Sequence, residues 1–518
     1  MIVLYNPIST SPGKQPLPLS LMALAAVLEN PGDGRSPEPW TLVDGNLVPD
    51  PASEIVARLA QVADASLLAV TVMPGPQLTQ AVAVCRRVRE RLPHVPIVWG
   101  GYFPTQHAET VLRAPYVDFV IRSQGESALL QLIDVLRSRG LLNSVGGLSW
   151  KGSAAAVGGA AAVGSAKALA ERIDIITNPT QPLTNLDALP ELPYHRVDMR
   201  RYIHKNYLGQ RTVAHNSSFG CPFACSFCAV VAMSNRKWLA QSPARMESVL
   251  RHLASTYGVD AVQMHDMDFF INEARTAEFA ERIGDLGIRW WALGRVDALM
   301  QYSDTTWDKM ARSGLAMVFS GAESGTDETL ARMNKGGKSS AALTLELARR
   351  MQRYGIIPEF SFVLGSPPDP AGDVEVTFDF IRRVKQINPA TEVVLYTYTP
   401  VPLDGGMLAE AKRQGFAFPE TLEQWASPQW EQLSMRRGDG IPWMDRSTGN
   451  VRRRIRNFEH VVNAYYPTVT DMRLTGWRRA ALKAAGGLRY RLKWYDAPYE
   501  LRALNRLFKY QRPETTGF

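Results

Sequence analysis

Two stretches of the chain alternate short apolar runs with amphipathic, helix-period segments, a pattern that buries strands on both faces and so builds parallel sheets covered by helices. In the first stretch, residues 2–5, 40–43, 67–72, 97–99 and 119–121 read as strands, and residues 19–29, 53–63, 77–92 and 126–137 as helices. In the second, strands are expected at 213–217, 261–265, 289–293, 317–321, 358–364 and 392–398, separated by helices at 243–257, 274–286, 305–313, 339–354 and 374–387. The expected fold class is therefore α/β. An N-terminal doubly wound, Rossmann-like parallel sheet of five strands spans residues 1–140, and a linker follows over 141–195. A partial (β/α)6 TIM-like barrel occupies 196–415, and an irregular, helical C-terminal region 416–518. The linker assignment rests on fading periodicity, on Pro179, Pro182, Pro190 and Pro193, and on the Ala/Gly-rich run 152–170, read as a flexible connection.

Length and composition close off several alternatives. At 518 residues with 45% hydrophobic and 21% charged side chains, the chain is too long for a small binding module and too apolar for a disordered one. A net charge of +8 is too small to argue a nucleic-acid partner, and none is expected. No secretion signal and no apolar run long enough to cross a bilayer can be read, so the expectation is a cytoplasmic protein. Of the four cysteines, Cys221, Cys225 and Cys228 cluster while Cys85 lies far away on an apolar helix stripe, which speaks against a disulfide framework and places Cys85 in the core.

The segment Cys221-Pro-Phe-Ala-Cys225-Ser-Phe-Cys228 follows the first barrel strand, at the face where barrel enzymes keep their active sites. Three thiolates on one loop can hold three irons of a [4Fe–4S] cluster and leave the fourth open for chemistry. A structural zinc site would need a fourth ligand, and His215 precedes the loop on a strand that points it poorly. In the N-terminal sheet, ligands belong beyond the carboxyl ends of the strands, at residues 6–7, 71–76, 100–102 and 123–126. Gly100, Gly101 and Gly125 permit close backbone approach or positive φ there, or simply make tight strand-to-helix turns.

These motifs resemble those of the radical S-adenosylmethionine (SAM) enzymes, in which the open iron chelates SAM and an electron from the cluster yields a 5′-deoxyadenosyl radical. Phe227 matches the aromatic that packs near the adenine; His265-Asp266-Met267-Asp268-Phe269-Phe270, Gly294-Arg295-Val296-Asp297 and Gly321-Ala322-Glu323-Ser324-Gly325 resemble the ends of the second, third and fourth strands. Residues 361–367 and 396–402 match the fifth and sixth. The resemblance implies cluster ligation and catalysis by Cys221, Cys225 and Cys228, and SAM binding by Phe227, Asp266, Arg295, Glu323 and Ser361. Simpler roles stand beside these: Asp266 or Asp268 as a helix N-cap, and Arg295 paired with Glu323. Ser218-Phe219-Gly220 departs from the Ser-Arg-Gly common before the first cysteine.

The N-terminal sheet, with residues 16–21, 100–105 and 122–126, resembles the cobalamin-binding domain of cobalamin-dependent radical SAM methyltransferases. Leu17, Thr71, Val72, Gly100, Gly101, Tyr102, Gly125 and Glu126 are the contacts this implies. The Asp-x-His-x-x-Gly motif that supplies an imidazole to cobalt is absent, and His107 reads as a surface or capping histidine. The alternatives are a nucleotide-binding sheet, where the missing G-x-G-x-x-G counts against a dinucleotide, and a sheet that only supports the barrel. Methylthiolating relatives need a second cluster, which Cys85 alone cannot build.

The resemblance implies methylation of an unactivated carbon through methylcobalamin and a 5′-deoxyadenosyl radical. The runner-up keeps the cofactors but oxidises or cyclises, as in the anaerobic porphyrin cyclases; a non-catalytic metal- or nucleic-acid-binding protein is the alternative from another class. A small, hydrophobic substrate, an electron donor such as flavodoxin or ferredoxin, and a monomer are expected. Trp425, Trp430, Trp443, Tyr396 and Tyr398 are candidates for an apolar cavity or for core. From Asp471 to Arg512, eleven Lys or Arg stand against three Asp or Glu among Trp and Tyr, as in a peripheral membrane contact or a solvated basic helix.

Overall fold

The computed structural model describes all residues except 11–12, 33, 62–65, 153–173, 336–338, 404, 436–439, 446–449, 473, 475 and 511–518, and the side chain of residue 445. Two compact units emerge. The first comprises residues 1–198, 232–237 and 418–438; the second, 199–231, 238–417 and 439–518.

In the first unit, β1 (Ile2–Asn6), β2 (Trp40–Asp44), β3 (Leu67–Thr71), β4 (Ile97–Gly100), β5 (Phe119–Ile121), β6 (Leu148–Gly152) and β7 (Asp174–Thr177) form one sheet, in the order β2-β1-β3-β4-β5-β6-β7. The first five strands are parallel, while β6 and β7 add antiparallel at one edge. Alternation along β1 sets the two faces, because successive strand residues point opposite ways. Val3 and Tyr5 join the core over helices Pro51–Leu59 and Pro76–Arg91. Ile2 and Leu4 join the one over helices Leu19–Glu29 and Glu126–Ser138. Strand order reverses between β1 and β3, the switch point where such sheets open a crevice. Cys85 is fully buried and accepts from Trp99 Nε1 at 3.3 Å.

The sheet thus has seven strands rather than the expected five, and the span 141–195 is not linker throughout. β7 is half-exposed along its length, so an antiparallel edge strand there needs no apolar run and leaves little periodicity to read. Most of the Ala/Gly-rich run 152–170 lies outside the described residues. Two short helices, Tyr102–Gln106 and Ala108–Arg113, stand between β4 and β5, where no helix was expected.

The second unit begins with β8 (Thr212–His215), followed by the short antiparallel pair β9 (Ser218–Gly220) and β10 (Trp238–Ala240). β11 (Ala261–Met264), β12 (Arg289–Gly294), β13 (Leu315–Glu323), β14 (Ile357–Leu364) and β15 (Glu392–Thr397) complete an all-parallel sheet with β8, in the order β15-β14-β13-β12-β11-β8. All six expected barrel strands are present. Ser242, Asn272, Ser303, Ser340 and Asp369 cap the five crossover helices, each side chain accepting from a first-turn N–H and so fixing where the chain leaves the sheet. The C-terminal region is divided: residues 418–438 pack with the first unit, and helices Val451–Tyr465, Gly476–Arg491 and Tyr499–Leu507 with the second.

Candidate active site

Because the six strands run parallel, their carboxyl ends and the loops that follow lie at one edge of the sheet. The cysteine loop lies between β9 and β10, and its chain is fastened from outside. Ser226 donates its backbone N–H to Met333 O (3.0 Å) and its hydroxyl to Arg332 O (3.1 Å), while Asn334 Nδ2 donates to Ala224 O (2.9 Å). The segment after helix Asp327–Arg332 therefore serves as a clamp on the loop.

The loop's most buried thiol, Cys225, accepts from Arg295 Nη1 at 3.2 Å. Arg295 itself is held in a two-pronged pair with Asp297 (2.9 and 2.8 Å), donates to Lys335 O, and stacks on the Phe223 ring at 3.7 Å. Burial pushes the Cys221 thiol up to about 12, with Asp268 the next contributor. Asp268 is itself buried, its carboxyl pushed up to about 7 by desolvation and partly restored by Arg295. Its Oδ1 accepts from Phe270 N (3.3 Å), and its Oδ2 has no hydrogen-bond partner among the described residues.

The other expected SAM residues divide. Asp266 is neither a helix cap nor open to a ligand: it accepts from Ser217 N, Ser217 Oγ and Ser218 Oγ, locking the start of the cysteine segment to β11, and Asn272 caps the next helix instead. The expected Arg295–Glu323 pair is not formed, because each has a nearer partner. Glu323, at a positive φ of 62°, accepts from Lys335 Nζ at 2.6 Å. Nothing in the sequence marks Lys335: it carries no motif, and its partner lies twelve residues back. A Cβ on Gly321 would sit 1.9 Å from Glu323 Oε1, so the glycine is what lets the glutamate fold back. Ser361 is buried within β14, and Phe227 is half-buried on the loop. His215, buried on β8, meets Gln241 Oε1 at 3.2 Å. None of the cysteines is in a disulfide, and among the described residues no three His, Cys, Asp or Glu side chains converge as for a single ion.

In the first unit, several expected rim residues are joined in one chain of contacts. Ser20 Oγ lies 3.3 Å from Thr71 Oγ1, and a Cβ on Gly101 (φ 95°) would come within 3.0 Å of the same oxygen. Thr105 Oγ1 donates to Gly101 O (2.7 Å) and accepts from Ser123 N (3.2 Å). Thr71, Gly100, Gly101 and Tyr102 are partly open to solvent. Val72 and Leu17 are not: their side chains are buried, and Val72 exchanges both backbone groups with Gly100 and Phe103. Gly125 has ordinary dihedrals and packs on Leu24, while burial raises the carboxyl of Glu126. At the β1/β3 switch point, Asn6 donates to Asp44 (3.1 Å) and receives Gln77 Nε2 (3.2 Å).

His107 is neither a surface nor a capping side chain. It stacks against Phe103 and Trp425, with centroids 4.7 Å from each, and burial lowers its imidazole to about 4. Trp425 and Trp430 belong to this core of the first unit, whereas Trp443 packs on Tyr398 in the second, so the five aromatics do not form one lining.

Comparison with known proteins agrees with this division. The family model for the B12 binding domain matches residues 6–133, and that for the radical SAM superfamily matches residues 215–381. The chain is a B12-binding radical SAM enzyme. It is 28% identical over 390 residues (73% of this chain, 69% of the relative) to the anaerobic magnesium-protoporphyrin IX monomethyl ester cyclase of Synechocystis. It is also 25% identical over 371 residues (71% of this chain, 73% of the relative) to an uncharacterized methyltransferase of Pyrococcus horikoshii. Among solved structures, the radical SAM methyltransferase TsrM from Kitasatospora setae, with cobalamin and a [4Fe–4S] cluster bound, shares the fold. Its TM-score is 0.64 at 16% identity, with 98% of each chain covered. The cofactors of this class are a [4Fe–4S] cluster, SAM and cobalamin. The cysteine loop fits the first: three undisulfided thiols within eight residues, one already receiving a guanidinium N–H.

Proposed function

We propose that the chain methylates an unactivated carbon of a small, hydrophobic molecule. The observation that carries this reading is the fusion, in one chain, of a doubly wound sheet whose strand order reverses between β1 and β3 and a second parallel sheet whose first strand the three-cysteine loop follows, with Arg295 donating to Cys225. Cys221, Cys225 and Cys228 are the residues that would hold the cluster, and Thr71, Gly100, Gly101 and Tyr102 those that would meet cobalamin. When bound, the cluster supplies one electron for reductive cleavage of SAM and cobalamin supplies a methyl carrier.

The protein's own contribution is placement and dielectric. The clamp from residues 332–334 fixes the cysteine loop, and Phe223 on that loop covers one face of the Arg295 guanidinium. The unpartnered Asp268 Oδ2 is the acceptor that a cationic amino group of the cosubstrate would satisfy. His107, packed against the Phe103 and Trp425 rings, is held in the core of the first unit and would not serve as a ligand to cobalamin.

A second reading, oxidative ring formation without methyl transfer, is favoured by the similarity to the Synechocystis cyclase. The two are separated by incubating reduced protein with polycyclic lipids or tetrapyrroles and SAM labelled in its methyl group. Label in the product supports methylation; oxygen from labelled water without methyl label supports the second reading.

A monomeric, cytoplasmic protein fed by a flavodoxin or ferredoxin completes the proposal. Its C-terminal helices would rest on an anionic membrane surface, since Trp477, Tyr499 and Leu507 are 69, 70 and 73% exposed beside the exposed cations Arg478, Lys483, Arg491 and Arg506. Among the described residues no helix is long and apolar enough to cross a membrane. Sedimentation with phosphatidylglycerol vesicles but not with phosphatidylcholine ones, lost in a Trp477→Ser/Leu507→Ser variant, is the expected outcome.

A further inference from the structure

The guanidinium of Arg295 has five N–H donors, and four are committed within the protein. Nε and one Nη2 proton go to the two oxygens of Asp297, the second Nη2 proton to Lys335 O, and one Nη1 proton to Cys225 Sγ. One face is covered by the Phe223 ring at 3.7 Å. Both members of the Arg295–Asp297 pair are almost fully buried. What remains is a single N–H, too little for the two-pronged grip that would make an arginine the anchor of a carboxylate. The residue is built into the wall of the site, with its free edge turned to a sulfur.

We infer that Arg295 is a positioning residue that sets the reduction potential of the cluster by donating to Cys225, and does not anchor an anionic group of the cosubstrate. The inference rests on the reading that the three thiolates hold a cluster. Reduction adds one electron and no proton to the cluster, so its charge becomes more negative and a donor aimed at a ligand sulfur stabilises the reduced form more than the oxidised one. Hydrogen bonds to ligand sulfurs and burial are among the protein's main means of tuning such potentials. Asp297 cancels most of the guanidinium's net charge, so the directed N–H dipole does the tuning; Asp297, Phe223 and Lys335 O aim it. Lys335 also bonds Glu323, so the same residue that orders the end of β13 fixes Arg295.

The test is a potentiometric titration of the reconstituted, SAM-free protein, followed by the electron paramagnetic resonance signal of the reduced cluster. Arg295→Met alone strands the buried Asp297 carboxylate and can fail to fold, so the companion variant is Arg295→Met/Asp297→Leu, which keeps the charge balanced. With iron and sulfide contents equal to those of the unmodified protein, the double variant's midpoint is expected to move to more negative potential and its SAM dissociation constant to stay within about threefold, roughly 0.6 kcal/mol. An unchanged or more positive midpoint overturns the inference, as does a tenfold or larger loss of SAM affinity. Unmodified protein that assembles no iron–sulfur cluster overturns the underlying reading instead.

Discussion

Lys335 Nζ donates to Glu323 Oε1 at 2.6 Å, and both side chains are less than one-tenth exposed. A buried pair of this kind is costly to break one-sidedly, since the survivor is left as an uncompensated charge. Lys335→Met is therefore expected to destabilise by about 3–5 kcal/mol, while Lys335→Met/Glu323→Leu recovers much of that loss. Calorimetric melting of the apo-protein checks the order: the single variant must melt below the double. Gly321→Ala is expected to resemble the single variant, because the new methyl group occupies the glutamate's place.

Glu359 lies buried on β14, accepting from Trp291 Nε1 at 2.9 Å, and burial pushes its carboxyl up to about 7. A carboxyl raised in the folded state is best accommodated when protonated, so its contribution is fully present below about pH 4.5 and is lost as pH rises through about 7. Glu359→Gln keeps an acceptor for the tryptophan and removes the titration. The variant is expected to match the unmodified protein near pH 5 and to exceed it by roughly 1–3 kcal/mol near pH 8, as read from denaturant midpoints.

His107 carries the opposite sign. Its imidazole is lowered to about 4 by burial among Phe103 and Trp425, so its contribution is present above about pH 6.5 and is lost as pH falls toward 4. His107→Phe is expected to flatten the acid side of the stability profile and to leave cobalamin binding and the cob(II)alamin resonance spectrum unchanged. Loss of a nitrogen splitting in that variant would place the imidazole on cobalt.

Much of the fold was legible because parallel strands covered on both faces must be nearly continuous apolar runs, as residues 2–5 and 67–72 are. β7 has no such requirement: at the edge of its sheet it is half-exposed, and 21 intervening residues separate its sequence from β6. In the site, spacing identified the cysteines, since three thiols on one short loop are a local signal. Partner choice was not legible. Arg295 and Glu323 sit at neighbouring strand ends and attract each other on paper, but Asp297 stands two residues from the arginine, and Lys335 is brought to the glutamate only by the clamp that follows β13. His107 looked solvent-facing because the rings that enclose it include Trp425, more than three hundred residues away in sequence.

Cys221, Cys225 and Cys228 would hold three irons of a [4Fe–4S] cluster and leave the fourth open to SAM. Anoxic reconstitution followed by metal analysis and resonance spectroscopy, with and without SAM, tests this most directly. The expected result is iron and sulfide in the unmodified protein, a reduced-cluster signal that SAM alters, 5′-deoxyadenosine as a product, and none of these in Cys225→Ala. Zinc in place of iron, or a Cys225→Ala protein that still yields 5′-deoxyadenosine at the unmodified rate, would contradict it.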